Sequence, residues 1–148
     1  MGTIEHIFIF AERGGPGVSR VRITALAEQG IEGDRYSIAT NRKSADYQLT
    51  LIEAETIEQF VSETGLSLSP AAPRRNLVTR GVRLNQLLAQ QFIVGSVVLH
   101  GLELCEPCRL FASRTHQECL PWFVSRGGLR AKILNTGPIT IGDEVRAA

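Results

Sequence analysis

Short apolar segments with the spacing of β-strands make up most of the chain. Residues 4–10 are apolar and rich in isoleucine and phenylalanine, which is typical of a strand. Residues 21–26 alternate apolar and polar side chains, and this period of two predicts a half-buried strand. Further short apolar segments predict strands at residues 48–52, 76–79, 92–94, 97–99, 102–104, 129–134 and 143–145.

Residues 53–64 have the period of an α-helix instead, and Gly65 is a typical helix stop. One helical face carries four apolar residues, Ala54, Ile57, Phe60 and Val61. Residues 118–125 predict a second, shorter helix, and residues 84–88 a helical turn. The polar segment 36–46 predicts an irregular loop.

Gly95 and Gly101 separate short apolar segments in the strand-rich part of the chain. Glycines at corners between strands are expected in a closed, strongly bent sheet. The length of 148 residues suits one hydrophobic core. The sequence therefore predicts a mainly β fold, a small β-barrel with a few short peripheral helices, in a single domain over residues 1–148.

The composition argues against several classes of protein. Hydrophobic residues make up 43% and charged residues 21%, and the net charge is +1, so bulk charge indicates no nucleic-acid partner. No apolar run approaches the ~20 residues of a membrane span, and no secretory signal is visible. Three cysteines cannot all pair, and without a signal they predict free thiols in a reducing compartment. We therefore expect a soluble, cytoplasmic protein.

The basic residues are unusual in kind, because only Lys43 and Lys132 are lysines among 16 basic residues. The planar guanidinium fork of arginine matches the oxygens of carboxylates and phosphates. This composition allows an anion site, although a genome rich in G and C would also favour arginine.

The segment from Cys105 to Cys108 contains a Cys-x-x-Cys pair that admits four interpretations. A redox pair needs a helix that begins at the first cysteine, whereas here Pro107 stands between the two and no strong helical pattern follows. A structural zinc site would take Cys105, Cys108, His116 and Cys119 as its four ligands. Cys108 alone could be a reactive thiol, or both cysteines could be buried as small apolar residues.

Three arginine-containing segments are candidate anion sites: Gly33-Asp34-Arg35, Arg74-Arg75-Asn76 and Arg126-Gly127-Gly128-Leu129-Arg130. Guanidinium groups can grip a phosphate, and backbone N–H groups around paired glycines can form an anion nest. Each segment also has a plainer interpretation, namely a turn with an ion pair, exposed loop charge or a glycine hairpin. No P-loop or Gly-x-Gly-x-x-Gly sequence occurs.

These segments are distant in sequence, but a shared anion would require them to meet. We therefore expect Arg35, Arg75, Arg126 and Arg130 to approach one cleft that also contains Cys108, and at least two of the four to line it.

Taken in order, the motifs resemble the MOSC domain, the module named for the C-terminal part of molybdenum cofactor sulfurases. The matching segments are Gly30–Arg35, Leu49–Ile52, Arg75–Val78, Phe92–Gly95, Glu106–Cys108, Arg126–Ala131 and Gly137–Asp143. Two positions depart from patterns common among relatives, where histidine stands in place of Tyr36 or Ser125.

The resemblance implies a barrel-like fold and a role in molybdenum or sulfur chemistry. It implies that Cys108 either carries a sulfur atom or is a molybdenum ligand in a pterin cofactor (molybdopterin), since thiolate is a soft ligand. It further implies that arginines and backbone amides hold the cofactor's phosphate. The implied cofactor-binding residues are Gly33, Asp34, Arg35, Arg75, Asn76, Arg126, Gly127, Gly128 and Arg130.

Three functions follow as hypotheses: a carrier of molybdenum cofactor or of sulfur, a molybdenum-dependent reductase of N-hydroxylated compounds, and a non-enzymatic zinc-stabilised domain. The chain has no room for a desulfurase domain with a pyridoxal phosphate (PLP) site. A carrier would therefore need a separate PLP-dependent cysteine desulfurase, and a reductase would need a separate electron-donor protein.

Overall fold

The computed structural model describes residues 1–148, and strands dominate it. The strands are β1 (Gly2–Ile9), β2 (Val18–Arg20), β3 (Arg22–Leu26), β4 (Gly30–Ile31), β5 (Leu49–Glu53), β6 (Leu77–Arg80), β7 (Gln91–Val94), β8 (Val97–Leu104), β9 (Leu129–Ile133), β10 (Gly137–Thr140) and β11 (Glu144–Ala147). The α-helices are α1 (Ala54–Thr64), α2 (Arg109–Arg114) and α3 (Cys119–Trp122). Short 3-10 turns occupy Arg35–Ser37, Ala39–Asn41 and Leu84–Leu87.

Seven strands form a closed barrel in the order β11-β7-β8-β9-β5-β6-β1. The closure is an antiparallel pairing of β1 with β11, in which Gly2 lies opposite Val145 and Thr3 opposite Glu144. The predicted mainly β barrel with short peripheral helices is thereby confirmed. Strand β2 extends the sheet beyond β1, and β10, β3 and β4 form a separate three-stranded sheet.

Strands β5 and β6 are the one parallel pair in the barrel, and α1 makes the crossover between them. A parallel pair needs such a connection, because a tight hairpin cannot reverse the chain direction twice. The helix begins after Glu53 and ends at Gly65, whose φ of 73° is left-handed. It buries Ala54, Ile57 and Phe60 of the predicted apolar face, whereas Val61, the fourth residue of that face, is exposed.

Two hydrophobic clusters fill the molecule. The larger consists of 21 buried residues inside the barrel, and inward side chains of the small sheet, such as Ile23 and Ile139, belong to it. The second consists of 11 buried residues outside the barrel wall, where Phe60, Phe111 and Phe123 bring α1, α2 and α3 together. The short helices are therefore held mainly by this outer cluster.

Several local predictions were wrong. The second predicted helix is only four residues long, Cys119–Trp122, and α2 directly follows Cys108 where no strong helical pattern occurs. Strand β10, which contains Pro138, was not among the predicted strands. No helix has the length and apolar character of a membrane span.

Candidate functional site

A cleft of about 660 Å³ contains Cys108 and much of the molecule's unpaired positive charge. Seven of its twenty lining residues are arginine or lysine and only two are glutamate. The cationic residues are Arg13, Arg35, Arg42, Lys43, Arg74, Arg75 and Arg130. Because opposite charge is attracted into a concave site lined by one sign, this cleft is suited to an anion.

Cys108 is the one exposed thiol, since Cys105 is 4% exposed and Cys119 is fully buried. It is the N-cap residue of α2, and its Sγ accepts the backbone N–H of Phe111 at 3.4 Å. All three cysteines are free. Helix α2 begins at the second cysteine of the Cys-x-x-Cys pair, whereas a redox pair needs a helix that begins at the first cysteine.

The segment that carries Cys108 is tied to the loop before β9. Arg75 donates from Nε to the Gly127 carbonyl at 2.8 Å and from Nη2 to the Glu106 carbonyl at 3.2 Å. The Glu106 carboxylate accepts the N–H of Ser125 at 3.2 and 3.3 Å. Arg75 thus lines the cleft and also joins the Cys108 segment to the loop before β9.

Arg35 and Arg130 lie over tyrosine rings in the cleft. The guanidinium of Arg35 is 4.1 Å from the Tyr36 ring and that of Arg130 is 3.8 Å from the Tyr47 ring. The two rings meet edge to face at 5.6 Å. This arrangement fixes both arginines with part of their hydrogen-bonding capacity unused.

Arg130 has an orphaned donor. Its side chain is 11% exposed, and Nε donates to Glu103 at 3.1 Å. Its Nη1 is buried and has no hydrogen-bond partner. A buried donor without a partner carries a desolvation cost, so a ligand oxygen at this position would be stabilising.

Asp34 and Asn76 lie in an internal hydrogen-bond network. Asp34 is buried and accepts the N–H groups of Phe10 and Tyr36 at 2.8 and 3.1 Å. Asn76 donates to Asp34 at 3.2 Å and accepts the N–H of Thr50 at 3.1 Å. Both were predicted to bind cofactor, but protein groups already occupy the Asp34 oxygens, and only Asn76 reaches the cleft surface.

The glycine-rich segment 126–128 does not line the cleft. Arg126 lies outside it and stacks over Trp122 at 3.9 Å. Gly127 and Gly128 are buried, and a β-carbon on either would overlap a carbonyl oxygen, of Cys105 and Leu51 respectively. Gly33, with φ of +88°, is likewise absent from the cleft lining.

Arg74 was passed over in favour of its neighbour Arg75. It is half-buried, and burial together with the positive charges of Arg35 and Arg114 lowers its pKa. Arg13, Arg42 and other polar residues of the cleft come from segments without a motif. Of these overlooked cleft residues, only Arg74 had a signal in the sequence, because it stands beside Arg75.

The proposed zinc ligands do not meet. No group of three or more His, Cys, Asp or Glu side chains is placed to hold a metal ion. His116 instead lies 2.7 Å from the Ser67 carbonyl through Nε2, and Cys119 Sγ is 3.5 Å from the Thr115 hydroxyl. The prediction of a four-ligand zinc site is therefore wrong.

Comparison with known proteins identifies the family. The model of the MOSC domain matches residues 28–146, and the chain belongs to this family. A search of the curated proteins finds no significant match.

Solved structures share the fold at low sequence identity. The chain is similar to the YUAD protein of Bacillus subtilis, with a TM-score of 0.80, 15% identity and coverage of 98% of this chain and 94% of the other. It is also similar to YiiM from Geobacillus stearothermophilus, with a TM-score of 0.74, 14% identity and coverage of 100% and 75%. YiiM from Escherichia coli gives 0.66, 17% identity and coverage of 99% and 69%.

Proposed function

We propose that the cleft binds a molybdenum–pterin cofactor and that Cys108 is the thiolate ligand of the metal. The observation that carries this proposal is the position of the single exposed thiol on a cleft with a marked excess of cations. Membership of the MOSC family supports the choice of cofactor. Thiolate is a soft ligand of the kind such a metal accepts.

The residues present fit such a group. The unpartnered Nη1 of Arg130 supplies a donor for an acidic oxygen of the cofactor, and Arg35 and Arg75 lie on the same cleft. When bound, the molybdenum centre would supply two-electron redox chemistry. The chain's own residues would hold the anionic part, position the thiolate at the start of α2 and shield one side of the site with Tyr36 and Tyr47.

Metal and pterin analysis of purified protein tests this proposal. We expect molybdenum and an oxidisable pterin to co-purify with the protein from a host that makes the cofactor. Cys108→Ser should abolish molybdenum retention, and serine is itself a good N-cap residue, so α2 should remain. Arg130→Gln should lower cofactor affinity by about tenfold, the loss expected for a charge-assisted hydrogen bond.

Arg20→Gln is the matched control, because Arg20 is an exposed residue of β2 that does not line the cleft. It should retain wild-type cofactor content. Protein without molybdenum from a competent host would contradict the proposal, and so would equal molybdenum content in the wild type and in Cys108→Ser. Loaded protein can also be assayed for reduction of an N-hydroxylated amidine with a chemical electron donor, which tests the reductase alternative.

Sulfur transfer is the second candidate function, and the difference in exposure between Cys108 and Cys105 favours it. A persulfide on exposed Cys108 would face no other exposed thiol of this chain, because Cys105 is buried. The Cys108 thiolate would accept the terminal sulfur of a desulfurase persulfide, and the donor thiol would be regenerated. Incubation with a PLP-dependent cysteine desulfurase and cysteine should add one sulfur atom to the Cys108 peptide, whereas labelling of another peptide would contradict it.

A further inference from the structure

A second cavity, of about 460 Å³, adjoins the Cys108 cleft across Arg74. Arg74 lines both spaces. Phe10 and Phe111 give the second cavity an apolar surface, and Arg114 and His116 contribute polar groups. A ligand seated here would therefore have an apolar face and a polar end, with Arg74 between it and Cys108.

The charge of this cavity is unbalanced. No aspartate or glutamate lines it, although two arginines do. Neither Arg74 nor Arg114 belongs to any ion pair of the structure. Unpaired guanidinium groups next to each other repel, so a bound anion would be stabilising.

Arg74 is fixed in place by contacts that leave part of its guanidinium free. Its Nη1 donates to the Gly15 carbonyl at 2.6 Å, and its guanidinium lies 4.6 Å from the centre of the Phe10 ring. Arg114 approaches the same loop, since its Nη2 would lie 3.8 Å from a β-carbon at Gly14. Burial and the charges of Arg35 and Arg114 lower the Arg74 pKa, and smaller opposite influences of Cys108 and Tyr36 do not cancel this, which is the expected effect of burial beside other positive charges.

We propose that Arg74 and Arg114 bind the acid group of a small organic anion in this cavity, with its apolar body against Phe10 and Phe111. The shared chemistry is a carboxylate or phosphate attached to an apolar group. Guanidinium donors bind both kinds of oxyanion in the same way. Arg74 lines both the Cys108 cleft and this cavity. If Cys108 ligates molybdenum as proposed above, the bound anion is therefore a substrate that reaches the metal site. This substrate role rests on the proposed function, whereas the binding itself does not.

Binding of defined probes tests the site without any metal. Benzoate and phenyl phosphate should bind metal-free protein, with shifts in the amide resonances of Phe111, Thr115 and Gly17. Benzyl alcohol, which has the ring but no charge, should bind at least about tenfold more weakly. Affinity for the anions should fall as salt rises, because Arg114 is exposed.

Arg114→Gln is the primary variant, since this exposed side chain donates no hydrogen bond that the fold requires. It should weaken benzoate binding by about tenfold, and Arg114→Lys should restore part of the affinity. Arg20→Gln, again exposed and outside the cavity lining, should leave binding unchanged.

Two results would overturn the site: no saturable binding of either anion below about 10 mM, or equal affinity in the wild type and in Arg114→Gln. The same binding measurement on cofactor-loaded protein decides whether the acid group belongs to a separate organic acid or to the cofactor. Probe binding alongside the cofactor identifies a separate organic acid as the ligand. Loss of probe binding on loading assigns the two arginines to the cofactor's own phosphate and overturns the substrate role.

Discussion

At the scale of single residues, the three cysteines differ in the exposure of their side chains. Cys108 lies at the surface, whereas Cys105 and Cys119 are buried in the core clusters or beside them. With limiting iodoacetamide at neutral pH, we expect Cys108 to be alkylated at least about tenfold faster than the other two, because a buried thiol is inaccessible to the reagent. Peptide mass analysis of the labelled protein measures this difference.

The variant Cys108→Ser should remove the fast phase of labelling entirely. Fast labelling of Cys119 in the native protein would contradict the assignment of Cys108 as the accessible thiol.

Glu53 gives a pH dependence with a definite sign. Burial, the largest influence, raises the Glu53 pKa, and the neighbouring Glu55 raises it further. Between the unfolded value near 4.5 and the higher folded value, the folded chain binds more protons, so this residue makes stability fall as pH rises. Glu53→Gln should therefore gain stability relative to the wild type at pH 7 but not at pH 4.

Urea denaturation at both pH values measures the effect. The Gln side chain keeps an oxygen that can accept the Leu84 N–H, as Glu53 does at 3.1 Å. Exposed Glu12→Gln is the control and should show no such pH-dependent gain. A loss of stability in Glu53→Gln at pH 7 would show that the carboxylate is needed in its charged form.

The sequence predicted which residue types approach the cleft better than it predicted their contacts. Arg35, Arg75 and Arg130 do line the space that contains Cys108. Asp34 looked equally suited to a ligand, but its oxygens accept the N–H of Tyr36 two residues on, the N–H of Phe10 and the side-chain amide of Asn76. The last two contacts depend on the three-dimensional path of the chain, and local sequence carries no sign of them.

At the scale of elements, glycines set how closely the strands and the cysteine segment approach. A β-carbon at Gly128 would overlap the Leu51 carbonyl oxygen, and its φ of +108° also disfavours other residues. Gly65 has a positive φ as well, but nothing lies near its β-position. We expect Gly128→Ala to cost roughly 3 kcal/mol or more and Gly65→Ala about 1 kcal/mol, measured by chemical denaturation.

Equal costs for the two alanine variants would mean that backbone conformation alone, and not the close approach to Leu51, determines the requirement for glycine at position 128.

Elements that depend on distant contacts were the hardest to predict. Helix α2 is too short to show a period, and it forms because Cys108 caps it and Phe111 and Ala112 are buried against the outer cluster. Strand β10 contains Pro138, which usually marks a turn. It pairs only with β3 at the edge of its sheet, where a missing N–H is tolerated.

At the scale of the whole molecule, the two hydrophobic clusters predict two levels of protection. Barrel strands are hydrogen-bonded on both sides around the larger cluster, whereas α2 and α3 are six and four residues long and are covered by the smaller one. We expect barrel amides to exchange with solvent only through global unfolding, and α2 and α3 amides through a local opening of lower free energy. Native-state hydrogen exchange in low denaturant distinguishes the two, and identical opening energies would contradict this division.

The closure between β1 and β11 determines how the protein responds to mechanical force. The pairing is antiparallel at Gly2–Val145 and Thr3–Glu144, so the two ends of the chain leave the barrel side by side. Tension applied between the termini would load the hydrogen bonds of this β1–β11 seam one after another, in the unzipping geometry, instead of all together in shear. In a single-molecule pulling experiment the barrel should therefore open at this seam first and at low force, however stable it is against heat or denaturant.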